Sequence, residues 1–239
     1  GGRMATFVLV HGSFGGGWCW KLVAPMLRNL GHEVYTPTLT GLGERAHLLR
    51  CGVDLNTHIE DVTNLLFYED LSGVILVGHS YAGMVITGVA AKMSERIAKL
   101  IYLDAYVPQD GQSEVDLWPL PTPASLIFVR PSGPNEMRPS PSPSAFGITD
   151  PKMAEWMAER LMPQPMSTYL QAPPASTPES RAIPRAYIVC TGSSIKHVMA
   201  PFAARARSEE WDVRELASDH EVELTHPREL TNILNELAV

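Results

Sequence analysis

The chain has 239 residues, 45% of them hydrophobic and 19% charged, enough to bury a substantial core in one α/β domain or two small ones. A net charge of −7 and a pI near 5.6 oppose nucleic acid or an anionic membrane as partner, and no run of about 18 apolar residues offers a membrane span. The three cysteines, Cys19, Cys51 and Cys190, form no CxxC pair; they read as buried free thiols, not a disulfide frame or metal site, and the expected compartment is the cytoplasm.

Residues 1–3 precede Met4 and are set aside as a cloning remnant. ATFVLVHG (5–12) is a short apolar run ending in the glycine cluster GSFGGGW, the pattern of a buried strand entering a loop. WCWKLVAPMLRNLGH puts Trp18, Leu22, Val23, Met26, Leu27 and Leu30 on one helical face, stopped by Gly31. HEVYTPTLTGLG predicts a second strand and a glycine-rich loop. NTHIEDVTNLLFYED predicts a helix starting at Asn56 or Thr57, with Ile59, Val62, Leu65 and Leu66 on one stripe. VILVGHSYAG (74–83) is a buried strand that turns sharply into a helix from about Tyr81 to Lys92, and IAKLIYLDAYVP is another buried strand. Strands alternating with helices imply a parallel sheet covered on both faces.

The alternation then breaks. Sixteen of the 20 prolines lie between Pro108 and Pro184, a density that suits a linker. The same stretch holds Trp118, Phe128, Phe146, Trp156 and Tyr169, too apolar for a plain linker, so residues 108–183 are read as a cap inserted above the sheet, with a mobile loop near Pro139–Ser144. Within it DPKMAEWMAERLM predicts a helix capped by Asp150, with Pro151 at its first position. Alternation resumes with the strand RAYIVCT, a helix over about 198–208, the strand WDVRELA and a last helix over about 227–237. Residues 4–107 and 184–239 thus form one core.

A serine hydroxyl becomes a nucleophile only when a base stands within hydrogen-bond reach and the backbone exposes its oxygen. Gly78-His79-Ser80-Tyr81-Ala82 fits the strand–turn–helix elbow G-x-S-x-G with Ala82 for the second glycine, and Gly83 follows. The bland alternative is a serine capping a helix. His220, just after the last strand, is the candidate base; His226 falls at the start of the last helix, and His11 shapes the loop after the first strand. An oxyanion needs N–H donors aimed in advance, and the backbones of Tyr81 and Ser13 are the candidates. The glycines of HGSFGGGW lack the spacing of a phosphate-binding loop, so no nucleotide, metal or other cofactor is expected.

The segments FVLVHGSFGGGWCW, GHEVYTPTLTGLGERAHL, VILVGHSYAG, LIYLDAYVPQDG and SDHEVELTHPREL resemble the α/β-hydrolase superfamily, in particular the plant methylesterase and hydroxynitrile lyase group and its small bacterial esterase relatives. The resemblance implies an α/β-hydrolase fold and a serine–histidine hydrolase. It disfavours cyanohydrin cleavage: Gly12 stands where the lyases have threonine, Glu221 where they have lysine after the histidine, and His79 where they tend to have glutamate. It also implies an acid after YIVCT, where this chain has Ser193 or Ser194. Asp104, at the end of the strand after the nucleophile's, is the best substitute, or else a structural carboxylate; Asp219 and Glu221 are poor candidates because neighbouring side chains in an extended loop diverge.

The expected activity is cleavage of an ester, carbamate or amide of a small apolar or aromatic molecule through an acyl-enzyme on Ser80, in a pocket lined by Phe14, Trp118, Phe128 and Trp156. The altered acid position keeps two alternatives open, a non-hydrolytic acid–base enzyme and a ligand-binding protein on the same scaffold. A homodimer is left open.

Overall fold

The structure, a computed structural model, describes residues 3–119 and 135–238. Its strands are β1 (Thr6–Val10), β2 (Glu33–Tyr35), β3 (Val74–His79), β4 (Ile97–Leu103), the two-residue β5 (Met137–Arg138) and β6 (Gln164–Pro165), β7 (Arg185–Cys190) and β8 (Asp212–Leu216). Apart from the antiparallel pair β5 and β6, they form one sheet in the order β2-β1-β3-β4-β7-β8, with every neighbouring pair parallel. The main helices are α1 (Val23–Asn29), α2 (Leu55–Tyr68) and α3 (Ala82–Met93). Between β4 and β7 come the short α4 (Glu114–Leu117), α5 (Pro151–Ala158), α6 (Ser167–Leu170) and α7 (Pro178–Arg181). The chain ends with α8 (Lys196–Ser208), α9 (Val222–Thr225) and α10 (Pro227–Leu237).

Period-2 burial in the strands sets the layers. Phe7, Leu9, Ile75, Val77, Ile101 and Leu103 pack with Val23 and Leu27 of α1 and Leu230 and Leu234 of α10. Their neighbours Val8, Val10, Val74, Leu76, Leu100 and Tyr102 pack on the other face with Ile59 and Val62 of α2, Val85 and Val89 of α3, and Val198 and Phe202 of α8. Central β3 is buried along its whole length, as a strand covered on both faces must be.

Several local expectations shift. α2 starts at Leu55, not Asn56 or Thr57, because Asp54 caps it: its carboxylate accepts from Thr57 N–H (3.0 Å) while Thr57 Oγ1 accepts from Asp54 N–H (3.2 Å). α1 is shorter than the apolar stripe, which begins in a 3-10 turn at Gly17–Trp20. Pro25 sits in the first turn of α1, where the N–H it lacks would have no intrahelical partner. Cys19 and Cys190 are buried free thiols, but Cys51 is exposed in the loop before α2. The stretch read as a loop at Pro139–Ser144 runs into a 3-10 turn, Pro143–Phe146, closed by left-handed Gly147.

β2 lies on one side of β1 and β3 on the other, so the loops leaving the carboxyl ends of β1 and β3 diverge and open a crevice, where α/β sheets place their ligands. The β4–β7 connection reaches the β1 loop: Met162 N–H donates to the Phe14 carbonyl (3.1 Å) and Phe14 N–H to Gln164 Oε1 (3.0 Å). Among the described residues, no helix is long and apolar enough to cross a membrane.

Candidate active site

Ser80 stands at the end of β3 with φ of 57°, in the left-handed region that a non-glycine residue enters only when its surroundings hold it there. The surroundings are tight. A Cβ on Gly83 would lie 1.9 Å from the Tyr106 carbonyl oxygen, and one on Gly78 would lie 2.7 Å from that of Ala82. The close approach thus falls on Gly83, and Ala82 is accommodated, fully buried, where the motif has glycine. Asp104, at the end of β4, also has a positive φ (41°), as does Phe14 in the β1 loop (68°).

These strand ends bring three predicted side chains together. His220 Nε2 is 3.0 Å from Ser80 Oγ, and its Nδ1 is 2.7 Å from Asp104 Oδ2. With a carboxylate at Nδ1, the neutral ring carries its hydrogen there, which leaves Nε2 free to accept the serine proton. Burial lowers the pKa of His220, but the hydrogen bond and charge of Asp104, with Glu221 and Glu223, outweigh it and the net shift is upward from 6.5. The other Asp104 oxygen accepts from Cys190 N–H (3.4 Å). Ser193, at the position the resemblance gives to the acid, instead caps a turn, its Oγ accepting from Ile195 N–H (3.2 Å). Asp219 accepts from Thr225 Oγ1 (3.1 Å), and His226 is the N-cap residue of α10.

Tyr81 and Ser13 are braced by one aromatic network. Tyr81 is the N-cap residue of α3, where backbone donors have no intrahelical partner. His58 Nε2–H donates to the Thr40 carbonyl (3.0 Å), so its Nδ1 accepts from the Tyr81 hydroxyl (2.8 Å). The Tyr169 ring packs edge-on against Tyr81, and its hydroxyl donates to Ser13 Oγ (2.7 Å). His11 fixes the same loop: Nδ1–H donates to the Gly12 carbonyl (2.8 Å), Nε2 accepts from Leu39 N–H (3.0 Å), and burial lowers its pKa to about 3.

The cleft around Ser80 includes Phe14, as expected, together with Trp18, Tyr106, Arg138, Phe146, Leu161 and Ile195. Trp118 and Trp156 are corrections. Trp118 lies one layer out, beneath the Arg138 guanidinium (4.6 Å) with its Nε1–H on Glu114 (2.7 Å); Trp156 packs edge-on against the back of Trp18 (5.3 Å), with Arg160 over its ring. Phe128 lies outside the described residues. Glu114 is buried 3.9 Å from Arg138, and burial pushes it up to about 7 although Arg138 opposes the shift.

At the other end of the cleft stand His79, Glu221 and Glu223. His79 Nε2 meets the His220 carbonyl at 2.8 Å and must donate there, since a carbonyl only accepts. Its Nδ1 lies 3.3 Å from Glu223 Oε1. Burial lowers the pKa of His79 to about 4 and pushes Glu221 and Glu223 up to about 7 each. Their ligand atoms come within 4.8 Å of one another, so this is also where a cation could be held.

The model of the alpha/beta hydrolase family matches residues 7–233. The chain belongs to that family. A carbendazim hydrolyzing esterase of Nocardioides sp. (strain SG-4G) is 39% identical over an alignment of 249 residues, covering 98% of this chain and all of that protein. Methylesterase 1 of Arabidopsis thaliana is 36% identical over 115 residues, 46% of this chain and 43% of that protein. The solved structure of an extracellular α/β-hydrolase from a Paenibacillus species matches with a TM-score of 0.82 at 26% identity, covering 97% of this chain and 98% of that one. This α/β-hydrolase is a carboxylic ester hydrolase.

Sequence reasoning missed Tyr106, Arg138, Leu161 and the His79–Glu221–Glu223 group. For the last a signal existed: two acids spaced i, i+2 after His220, flanking an apolar residue. Arg138 gave none, because its place over three rings is made by residues far away in the chain.

Proposed function

We propose that this α/β-hydrolase cleaves an ester or carbamate of a small, largely apolar or aromatic molecule through an acyl-enzyme on Ser80. Ser80 Oγ attacks the carbonyl carbon as His220 Nε2 takes its proton and passes it to the departing alkoxide. Water, deprotonated by the same nitrogen, then releases the acyl group. Asp104 holds the imidazole in its Nδ1–H form and stabilises the imidazolium. The N–H groups of Tyr81 and Ser13 receive the oxyanion. Residues 108–183 act as the cap, with Arg138, Phe146 and Leu161 limiting the size of what enters.

One observation carries the reading, the hydrogen-bonded chain Ser80–His220–Asp104 at 3.0 and 2.7 Å. The same geometry favours hydrolysis over the non-hydrolytic and binding-only alternatives, which rested on the serine at the usual acid position. The relative named for carbendazim, similar along its whole length, makes that methyl carbamate of 2-aminobenzimidazole the first substrate to try. As part of the same proposal the enzyme works in the cytoplasm on a small molecule, without nucleic acid or membrane.

The test is turnover of p-nitrophenyl acetate and of carbendazim, with labelling by a fluorophosphonate probe. Turnover together with a label on Ser80, both absent from Ser80→Ala, is the expected result. Labelling without turnover of any ester or carbamate overturns it.

A further inference from the structure

His220 is held at three points, and only two of them belong to acyl transfer. Its Nε2 meets Ser80 and its Nδ1 meets Asp104. The third is its own backbone, where the His220 carbonyl accepts from His79 Nε2–H at 2.8 Å. His220 sits in the loop between β8, which ends at Leu216 on the edge of the sheet, and α9, which starts at Val222. A base carried there moves with its loop unless the loop is tied to something stiffer. His79 is stiffer: it is the last residue of central β3, pairs with Leu103 of β4, and directly precedes Ser80. One side chain therefore joins the backbone of the base to the backbone of the nucleophile.

The brace is itself held in place. His79 is buried, its Nδ1 lies 3.3 Å from Glu223 Oε1 of α9, and a Cβ on Gly12 at the end of β1 would lie 3.2 Å from the same nitrogen. Its ring stands 4.6 Å from that of His220, tilted by 38°, and Phe146 from the connection above the sheet is a second ring against His220 at 5.6 Å. Burial lowers the pKa of His79 to about 4, so the ring is neutral with a single N–H, and the carbonyl, which only accepts, requires it at Nε2.

We propose that His79 is a positioning residue for the base: its Nε2–H anchors the His220 backbone to the nucleophile's own strand, so that the imidazole meets Ser80 Oγ and Asp104 at once. The inference rests on the hydrolase reading above and deepens it. Asp104 fixes one ring nitrogen and by itself leaves the backbone free to swing about that bond. A misplacement of about 1 Å costs on the order of 100-fold in rate. A merely structural bond would lower stability and leave the folded enzyme as fast as before.

The experiment compares His79→Leu, which has no donor, with His79→Gln, whose amide reaches about as far as Nε2, and His79→Asn, whose amide stops about where Nδ1 lies. Each is assayed at a temperature where circular dichroism shows it folded. Because His220 serves both acylation and deacylation, His79→Leu should lower kcat and kcat/KM for p-nitrophenyl acetate together, by about 100-fold, with KM little changed. The rate of labelling of Ser80 by a fluorophosphonate should fall in the same proportion, and His79→Gln should recover at least about tenfold of both. If the leucine variant does not fold, the polar pair decides, with His79→Asn slow and His79→Gln fast. A wild type that turns over no ester, yet labels at a rate that the same variants lower and restore, would overturn the hydrolase reading and leave the brace standing. Wild-type kcat and labelling in folded His79→Leu overturn the brace, as does equal loss in the glutamine and asparagine variants.

Discussion

The two sides of Ser80 are buried alike and organised differently. Toward Asp104, every polar side-chain atom has a partner: Ser80 on His220, His220 on Asp104, Asp104 on Cys190 N–H. Toward Glu223, two carboxyls are buried side by side, one of them 3.3 Å from His79 Nδ1, and burial pushes both acids up to about 7. Burial by itself therefore does not mark the acyl-transfer groups; the kind of partner does. A network held together by one carboxylate–imidazole–hydroxyl chain keeps a geometry ready for the transition state, whereas two acids buried side by side make the folded state sensitive to pH.

The sharpest way to break the partnered side is to remove its ends. Ser80→Ala should lower kcat/KM for p-nitrophenyl acetate by about 10⁴-fold or more, and Asp104→Asn by about 10³–10⁴-fold while the fold is kept, read by circular dichroism alongside the kinetics. An Asp104→Asn enzyme with full activity would reduce Asp104 to a structural carboxylate. Next in size is the support beneath the serine. Gly83→Ala drives a methyl group into the Tyr106 carbonyl, 1.9 Å from the new Cβ, and should cost about 3 kcal/mol or more in chemical denaturation, with activity lost in step.

The Glu223 side should respond with the opposite sign. The folded-state pKa of Glu223 is raised to about 7 from 4.5, so its stabilising contribution is complete below pH 4.5 and is lost as pH rises through about 7. Glu223→Gln should therefore unfold at a higher temperature than wild type at pH 8, by the equivalent of about 2–3 kcal/mol, with the gain vanishing near pH 5. A variant destabilised at pH 8 would mean that the carboxylate is paired after all. The smallest effect is a shift of midpoint. His220 must be neutral to act as base, and its pKa is raised above 6.5, so kcat/KM should climb with pH through a midpoint above 6.5. In Asp104→Asn the residual activity should climb at lower pH, because the main group opposing desolvation of the imidazolium is gone.

Local patterns in the chain determined a good deal. Alternating apolar residues specified the strands and both of their faces, because the pleat has period 2 whatever surrounds it. The elbow at Ser80 was legible because a strand run directly into small residues permits few backbone paths, and His220 followed from its place after the last strand. Tertiary structure alone put Asp104, and not the loop at Ser193, against His220, since which carboxylate a histidine meets depends on which strand end it can reach from β8. It likewise put Arg138, Phe146 and Leu161 in the cleft in place of Trp118 and Trp156, and gathered His79, Glu221 and Glu223 at one end of it. Aromatic content says that a side chain will be buried; only the packing of distant segments says against what.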